Sequence, residues 1–354
     1  MKRIILTALA AAALLSSCNR DEIVETNPQN AISFDNAFVD HATRATEITK
    51  DNLTEFYVHG VRNDGKNVMT VFDNTRVYRE ESAPENYTYK YDDTRYWFDG
   101  NYEFMACNVS SANAGRPKVT LEPGDDGLLS SGRLKYTIDP ETDLIMARAD
   151  RTVSENATVG TGKVELTFNH LMSEIAFEIT NSLGNAYDLV FNNDGTNNAT
   201  MILVRCPGDG SYNFAQAAWD SNFNSTWQTL EMVPSVTTIP GNPGNPGDAD
   251  NVFRTDGKFI YPSAKNTTEY MMHAWIKIAI VQHGGTVPDY VLEKNEFNYY
   301  NSQGIPLGIK LEPGKKYLIK INVTPESINA KEIEFDVTEV NSFTDGGSVT
   351  VPMK

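Results

Sequence analysis

Lys163-Val164-Glu165-Leu166-Thr167-Phe168 alternates charged or polar residues with apolar ones, and Ile175, Phe177 and Ile179 soon repeat the pattern. A period of two puts Val164, Leu166 and Phe168 on one face of an extended chain, because successive strand side chains point to opposite sides. An amphipathic helix would need apolar residues three and four apart. Working outward, the alternation returns at Ile276, Ile278 and Ile280, with Lys277 facing the other way. It returns at Tyr317, Ile319, Ile321 and Val323, after the turn Glu312-Pro313-Gly314, and again at Ile333, Phe335 and Val337. Each run reads as a half-buried strand with one face on a core, so the chain is expected to be all-β and of sandwich architecture. The one candidate helix is a short piece from Phe214 to Trp219, which reads equally as loop.

A chain of 354 residues has room for two ordinary domains. Trp97-Phe98-Asp99-Gly100-Asn101-Tyr102-Glu103-Phe104 is similar to Glu312-Pro313-Gly314-Lys315-Lys316-Tyr317-Leu318-Ile319. Each is a glycine turn feeding a tyrosine-led strand, and each is followed by another strand, at Asp143 to Ala149 and at Glu332 to Thr338. Two copies of one β unit are therefore expected. The break falls in the polar stretch Ser154 to Gly162, giving domains at 45–158 and 159–354, with an alternative boundary after Ile179. Pro240-Gly241-Asn242-Pro243-Gly244-Asn245-Pro246-Gly247-Asp248 lacks ladder donors and reads as an exposed loop tip.

The first residues carry a different signal. Lys2 and Arg3 precede an apolar run from Ile4 to Leu15, too short for the roughly 20 residues that span a bilayer. It fits a secretory signal over residues 1–17, removed from the mature chain. Leu15-Ser16-Ser17-Cys18 follows, which is the small-residue pair and thiol that lipoprotein processing requires. Cys18 is thus expected to carry lipid and anchor the chain, the alternative being an ordinary signal with a chance cysteine. Asn19-Arg20-Asp21-Glu22 resembles a surface-export signal, and residues 18–44 read as tether and removable strand.

A formal net charge of −17 speaks against nucleic acid as a partner, which would need a basic stripe. Besides Cys18 there are only Cys107 and Cys206, expected in different domains as buried free thiols rather than a disulfide. The histidines, His41, His59, His170, His273 and His283, show no zinc spacing, and neither a nucleophile elbow nor a phosphate-cradling glycine loop occurs. Asp194-Gly195, Asp209-Gly210 and Asp248-Ala249-Asp250 match no calcium loop and read as turns. Trp219, Phe223 and Trp227 stand at helix-like spacing and read as core. No catalytic residue, metal or cofactor is expected.

Several of these segments together resemble the fimbrillin-like family of Bacteroidetes, which includes the pilins of type V fimbriae. They are the lipobox, Ala31-Ile32-Ser33-Phe34, Thr43-Arg44-Ala45-Thr46, and Tyr96-Trp97 ahead of Gly100-x-Tyr102-x-Phe104-x-Ala106. To these are added Asp143-Leu144-Ile145-Met146-Ala147, Leu166-x-Phe168-x-His170-x-x-Ser173-x-Ile175-x-Phe177 and Leu311-x-Pro313-Gly314-Lys315-x-Tyr317. The departures are Phe98, where proline is expected, and Tyr89, where tryptophan often stands. His170 within its motif reads as structural, a polar residue where the strand bends.

The resemblance implies two transthyretin-like (Greek-key) β-sandwich domains in tandem. It also implies a non-enzymatic fimbrial subunit, structural or adhesive, assembled at the outer membrane by strand exchange. In that scheme Ile32 and Phe34 belong to a strand that completes the precursor's sheet, and an Arg-specific protease cuts between Arg44 and Ala45 to release it. The bland alternative for Arg44 is an exposed linker residue. A neighbour's strand then fills the groove, with main-chain hydrogen bonds for affinity and alternate side chains for register. Val349, Val351 and Met353, on one face of the last strand, are the candidate donor, or else a hairpin on the chain's own sheet. Partners would be other fimbrial subunits, the outer-membrane lipid anchor, and a host glycan or protein. The rival is a stand-alone surface lipoprotein that binds host glycan or matrix without polymerising.

Overall fold

The computed structural model describes residues 31–39, 48, 51–80, 88–154, 162–191, 201–220, 226–232, 238–241, 251–262, 273–285, 287–294, 311–330 and 335–340. Its regular structure is almost entirely strand, in agreement with the alternation of the sequence. The first sheet takes β1 (Phe34–Val39), β2 (Glu55–Asn63), β3 (Val68–Glu80), β4 (Thr88–Lys90), β5 (Gly100–Cys107), β8 (Ile145–Val153) and β9 (Val164–His170). Their order is β1-β4-β3-β2-β5-β8-β9, and β1 also bonds to β9, so the sheet curls shut. β9 is buried at every second residue, as Val164, Leu166 and Phe168 foretold. Its inward face meets Phe56, Phe72 and Phe104 in an aromatic core.

A second pair of sheets holds most of the later chain. One comprises β10 (Ser173–Asn181), β17 (Val252–Arg254), β18 (Lys258–Ile260), β21 (Lys316–Val323) and β22 (Phe335–Val340). The other comprises β11 (Tyr187–Val190), β12 (Met201–Pro207), β15 (Trp227–Glu231), β16 (Thr238–Ile239), β19 (His273–Gln282) and β20 (Pro288–Lys294). Ile175, Phe177 and Ile179 pack with Ile276, Ile278 and Ile280 and with Tyr317, Ile319 and Ile321 in one core. β10 departs from the half-buried expectation, for Glu174 and Glu178 are only 3% and 8% exposed. Their face is covered because β21 lays Lys316 on Glu174 and β17 lays Arg254 on Glu178. A buried charge persists only when paired in this way.

The two halves share a third sheet. β6 (Lys118–Glu122) and β7 (Arg133–Thr137) come from the first half, β13 (Asp209–Asn213) and β14 (Ala218–Trp219) from the second, in the order β14-β13-β7-β6. Under it lies a core that takes Met105, Tyr136 and Met146 from one side and Tyr212, Trp219 and Tyr261 from the other. The chain passes between the first sheet and β10 at Leu171 and Met172, between the boundary expected after 158 and the alternative after Ile179.

Phe214 to Trp219 is not a helix. Phe214 to Ala217 are the tip of the β13–β14 hairpin, Ala217 with a left-handed φ of +49°, and Ala218 and Trp219 are β14 itself. Trp219 and Trp227 lie on different strands, so their helix-like spacing reflects no helix; Trp219 is core as expected, Trp227 is only half-buried under Arg205, and Phe223 lies outside the described residues. Asp209-Gly210 likewise opens β13 instead of forming a turn, with Thr137 donating to the Asp209 carboxylate at 2.8 Å. Among the described residues the helix is α1 (Pro325–Ala330), which the sequence reading overlooked. The Thr324 hydroxyl accepts the Ser327 amide at 3.2 Å, and Pro325 at the first helical position has no amide to leave unpaired.

The internal repeat has a physical counterpart. Gly100 opens β5 with φ of +135° and Gly314 stands just ahead of β21 with φ of +70°, and each strand carries a buried tyrosine, Tyr102 or Tyr317. Each hydroxyl reaches back over its own turn: Tyr102 Oη accepts the Phe98 amide at 2.8 Å, and Tyr317 Oη accepts the Glu312 amide at 2.8 Å. Each strand then pairs antiparallel with a later one, β5 with β8 and β21 with β22. Cys107 and Cys206 are free and buried, in separate cores.

Candidate functional site: the amino-terminal strand and its groove

β1 differs from its neighbours in how it is held. It runs parallel to β9, with Phe34 opposite Val164 and Val39 opposite Phe168, and antiparallel to β4, where Asp35 faces Thr88. The register against β9 shifts between Asp35 and Phe38, so the ladder is interrupted along its length. Antiparallel neighbours in a sheet can be joined by a tight turn, but a parallel neighbour must arrive from a distance. β1 therefore closes the first sheet as a separate piece of chain.

The backbone ahead of β1 is tied to other segments of the chain by hydrogen bonds. The Ile32 amide donates to Arg95 O at 2.8 Å, and Ile32 O accepts from Tyr91 Oη at 2.7 Å. The Val164 amide donates to Ser33 O at 2.7 Å, and Ala31 bridges Tyr96. Burial pushes the Tyr91 hydroxyl above the ordinary tyrosine value, while the Arg95 amide bonded to it at 3.2 Å works the other way. Tyr91 thus stays a neutral donor to the strand at any physiological pH.

Two side chains anchor the segment. Ile32 is 1% and Phe34 3% exposed, and alternation aims both into the aromatic core. The Phe34 ring sits among Phe56 at 6.3 Å, Phe72 at 5.5 Å, Tyr91 at 5.8 Å and Phe104 at 6.1 Å, with interplanar angles of 89°, 67°, 68° and 87°. These are edge-to-face contacts, the favoured geometry for ring quadrupoles. Four rings from β2, β3, β5 and the segment after β4 thus build a box for one ring.

At the far end of β9, His170 Nδ1 lies 2.5 Å from Asp143 Oδ2, and both side chains are buried. Two motifs singled out separately in the sequence meet here. The partner of His170 is the buried Asp143 carboxylate, which ties the end of β9 to the residues ahead of β8. Among the described residues, no group of three His, Cys, Asp or Glu side chains could hold a metal ion. Nor is any described helix long and apolar enough to cross a membrane.

Ile32 and Phe34 are thus brought together in one groove. Cys18, Arg44, Ala45, Val349, Val351 and Met353 all lie outside the described residues, as do Asp194-Gly195 and Asp248-Ala249-Asp250. Tyr91, Arg95 and Asp143 were not foreseen as partners, because each meets its counterpart across strands distant in sequence.

A family model described as fimbrillin-like matches residues 43–341. Among solved structures the chain is similar to a putative cell adhesion protein of Bacteroides uniformis, at 12% identity and a TM-score of 0.44, covering 90% of this chain and 100% of that one. It is also similar to a fimbrial assembly protein of Parabacteroides distasonis, at 13% identity and a TM-score of 0.39, covering 88% and 97%. A third is the fimbrial anchor protein Mfa2 of Porphyromonas gingivalis, at 11% identity and a TM-score of 0.34, covering 82% and 91%. Curated proteins yield no match.

Proposed function

This chain belongs to the fimbrillin-like family, and we propose that β1 is the part it surrenders when it joins a fimbrium. Membership makes it a fimbrial or adhesin-type protein of the cell surface, structural or adhesive and not enzymatic. The finer reading is assembly by strand exchange. Before assembly β1 fills the groove between β4 and β9; a cut between Arg44 and Ala45 frees it; a strand from another subunit replaces it. Cys18 holds the precursor on the outer membrane through lipid, and two sandwich units meet near Leu171. In this scheme the segment with Val349, Val351 and Met353 supplies the donor to a neighbour.

The observation that carries this reading is the seat of β1. A strand that closes a sheet in parallel, on two buried side chains and a broken register, can leave without unravelling a hairpin. Its departure would expose the unpaired edges of β4 and β9, a ready template for another chain. The family match opening at Thr43, just before Arg44, agrees with a mature domain that starts there.

The stand-alone surface lipoprotein remains the second reading, favoured by the near-complete burial of Ile32 and Phe34, which suits a permanent strand. Amino-terminal sequencing of the surface-exposed form separates the two. Ala45 as first residue, on protein recovered in polymers, is the expected result. A monomer still blocked at Cys18 overturns the exchange reading.

A further inference from the structure

The box of rings around Phe34 says what kind of strand the groove accepts. We infer that Phe56, Phe72, Tyr91 and Phe104 form a specificity pocket for a donor strand carrying an aromatic side chain at the Phe34 seat. The inference rests on the reading that β1 leaves, and goes further by naming the chemistry of its replacement. Each of the four rings presents itself to Phe34 at centroid distances between 5.5 and 6.3 Å. A smaller side chain would leave that space void, and voids forfeit dispersion contacts that a packed interior otherwise has. A polar side chain would enter without a partner other than Tyr91 Oη, already committed to Ile32 O and to the Arg95 amide.

Register is set independently by the backbone. Arg95 O takes the amide at the Ile32 position, and the Val164 amide binds the carbonyl at the Ser33 position. With those bonds made, only the residue two beyond the aliphatic one can point into the box. The accepted strand therefore reads aliphatic, any residue, aromatic. The chain's own candidate donor, Val349, Val351 and Met353, offers no ring. The neighbour that fills this groove is accordingly a different subunit, and the contact is between unlike chains.

The test starts from the full chain nicked after Arg44 with an Arg-specific protease, and reads displacement of the nicked segment by labelled synthetic peptides. A peptide of Ala31 to Val39 should displace it, and the same peptide with Phe34→Ala should be weaker by about tenfold or more. A peptide of Ser348 to Lys354 should be similarly weak, and its Val351→Phe version should regain most of the difference. Equal potency of the native and Phe34→Ala peptides, or a Ser348 to Lys354 peptide as strong as the native one, overturns the pocket while strand exchange stands. If no peptide displaces the nicked segment, or Arg44 resists the protease, exchange itself fails and the pocket falls with it.

Discussion

Asp143 and His170 face each other at 2.5 Å across the junction of β8 and β9, with side chains only 1% and 3% exposed. The backbone ties the same corner, since the Leu171 amide donates to Leu144 O at 2.9 Å and Ile145 lies opposite His170 in the ladder. This is the point where the chain leaves the first sheet and enters β10. Both residues belong to motifs that resemble the family, and the contact gives those motifs one joint physical purpose: to pin the exit of the first sheet.

Removing one member should cost far more than replacing both. His170→Ala leaves the Asp143 carboxylate buried without its partner, a change of about 3–5 kcal/mol by analogy with broken buried pairs. The double variant Asp143→Leu, His170→Phe should recover most of that, because neither polar group is then left buried without its partner. Urea unfolding of the two variants measures both values. Single-variant losses below about 1 kcal/mol would show that the pair contributes little.

His59 supplies a pH dependence of known sign. Burial holds its ring below the ordinary histidine value, opposed in part by Asp73, and its Nδ1 accepts the Asn74 amide at 3.2 Å. The unfolded chain takes up this proton at a higher pH than the folded one. The stability contributed by the neutral ring is therefore complete above the unfolded value near 6.5 and declines as pH falls from there through the folded value. His59→Asn keeps an acceptor near the Asn74 amide and has no proton to take up. It should flatten the loss of stability below about pH 6.5 relative to the parent. An unchanged slope would mean that the acid sensitivity comes from other groups.

The cysteines should be chemically silent. Burial pushes both Cys107 and Cys206 up to about 12, and the Cys107 thiol donates to Val109 O at 3.2 Å. Only the thiolate reacts readily, and neither sulfur reaches solvent. Iodoacetamide followed by peptide mapping should find both unlabelled in the folded chain and both labelled in denaturant. Labelling of either one under native conditions would reveal an opening that the structure does not have.

Alternation made β9 and β21 legible, because each buries one face and leaves the other more open. It misread β10, where Lys316 and Arg254 arrive from neighbouring strands to cover the polar face; no local pattern announces such lids. The Phe214 to Trp219 segment stands open between helix and loop in the sequence, and the hairpin turn at Phe214 to Ala217 decides for loop. α1 was in fact readable from Thr324-Pro325-Glu326, a cap, a first-turn proline and an acidic residue. Of the candidate site, Ile32 and Phe34 were legible as an apolar pair. The box that receives Phe34 was not, because Phe56, Phe72, Tyr91 and Phe104 converge only once β2, β3 and β5 are paired.

The shared third sheet predicts how the two halves unfold. Trp219 from the second half is 3% exposed, and its Nε1 donates to Leu171 O at 2.8 Å, at the crossing between halves. Its ring meets Tyr261 at 4.7 Å and Tyr212 at 5.5 Å, and Tyr136 of the first half at 6.5 Å. β7 and β13 are also bonded from Arg133 to Thr137 in one continuous ladder across that boundary. Two sandwiches joined by a flexible linker would melt separately; joined by a core and a ladder, they should lose structure together. Trp219→Ala removes a large buried side chain, at a cost of about 3–5 kcal/mol. Hydrogen exchange followed on β2 and β5 in one half, and on β19 and β21 in the other, should then show protection falling by similar amounts in both. A loss confined to β19 and β21 would mean that the halves are independent units that merely touch.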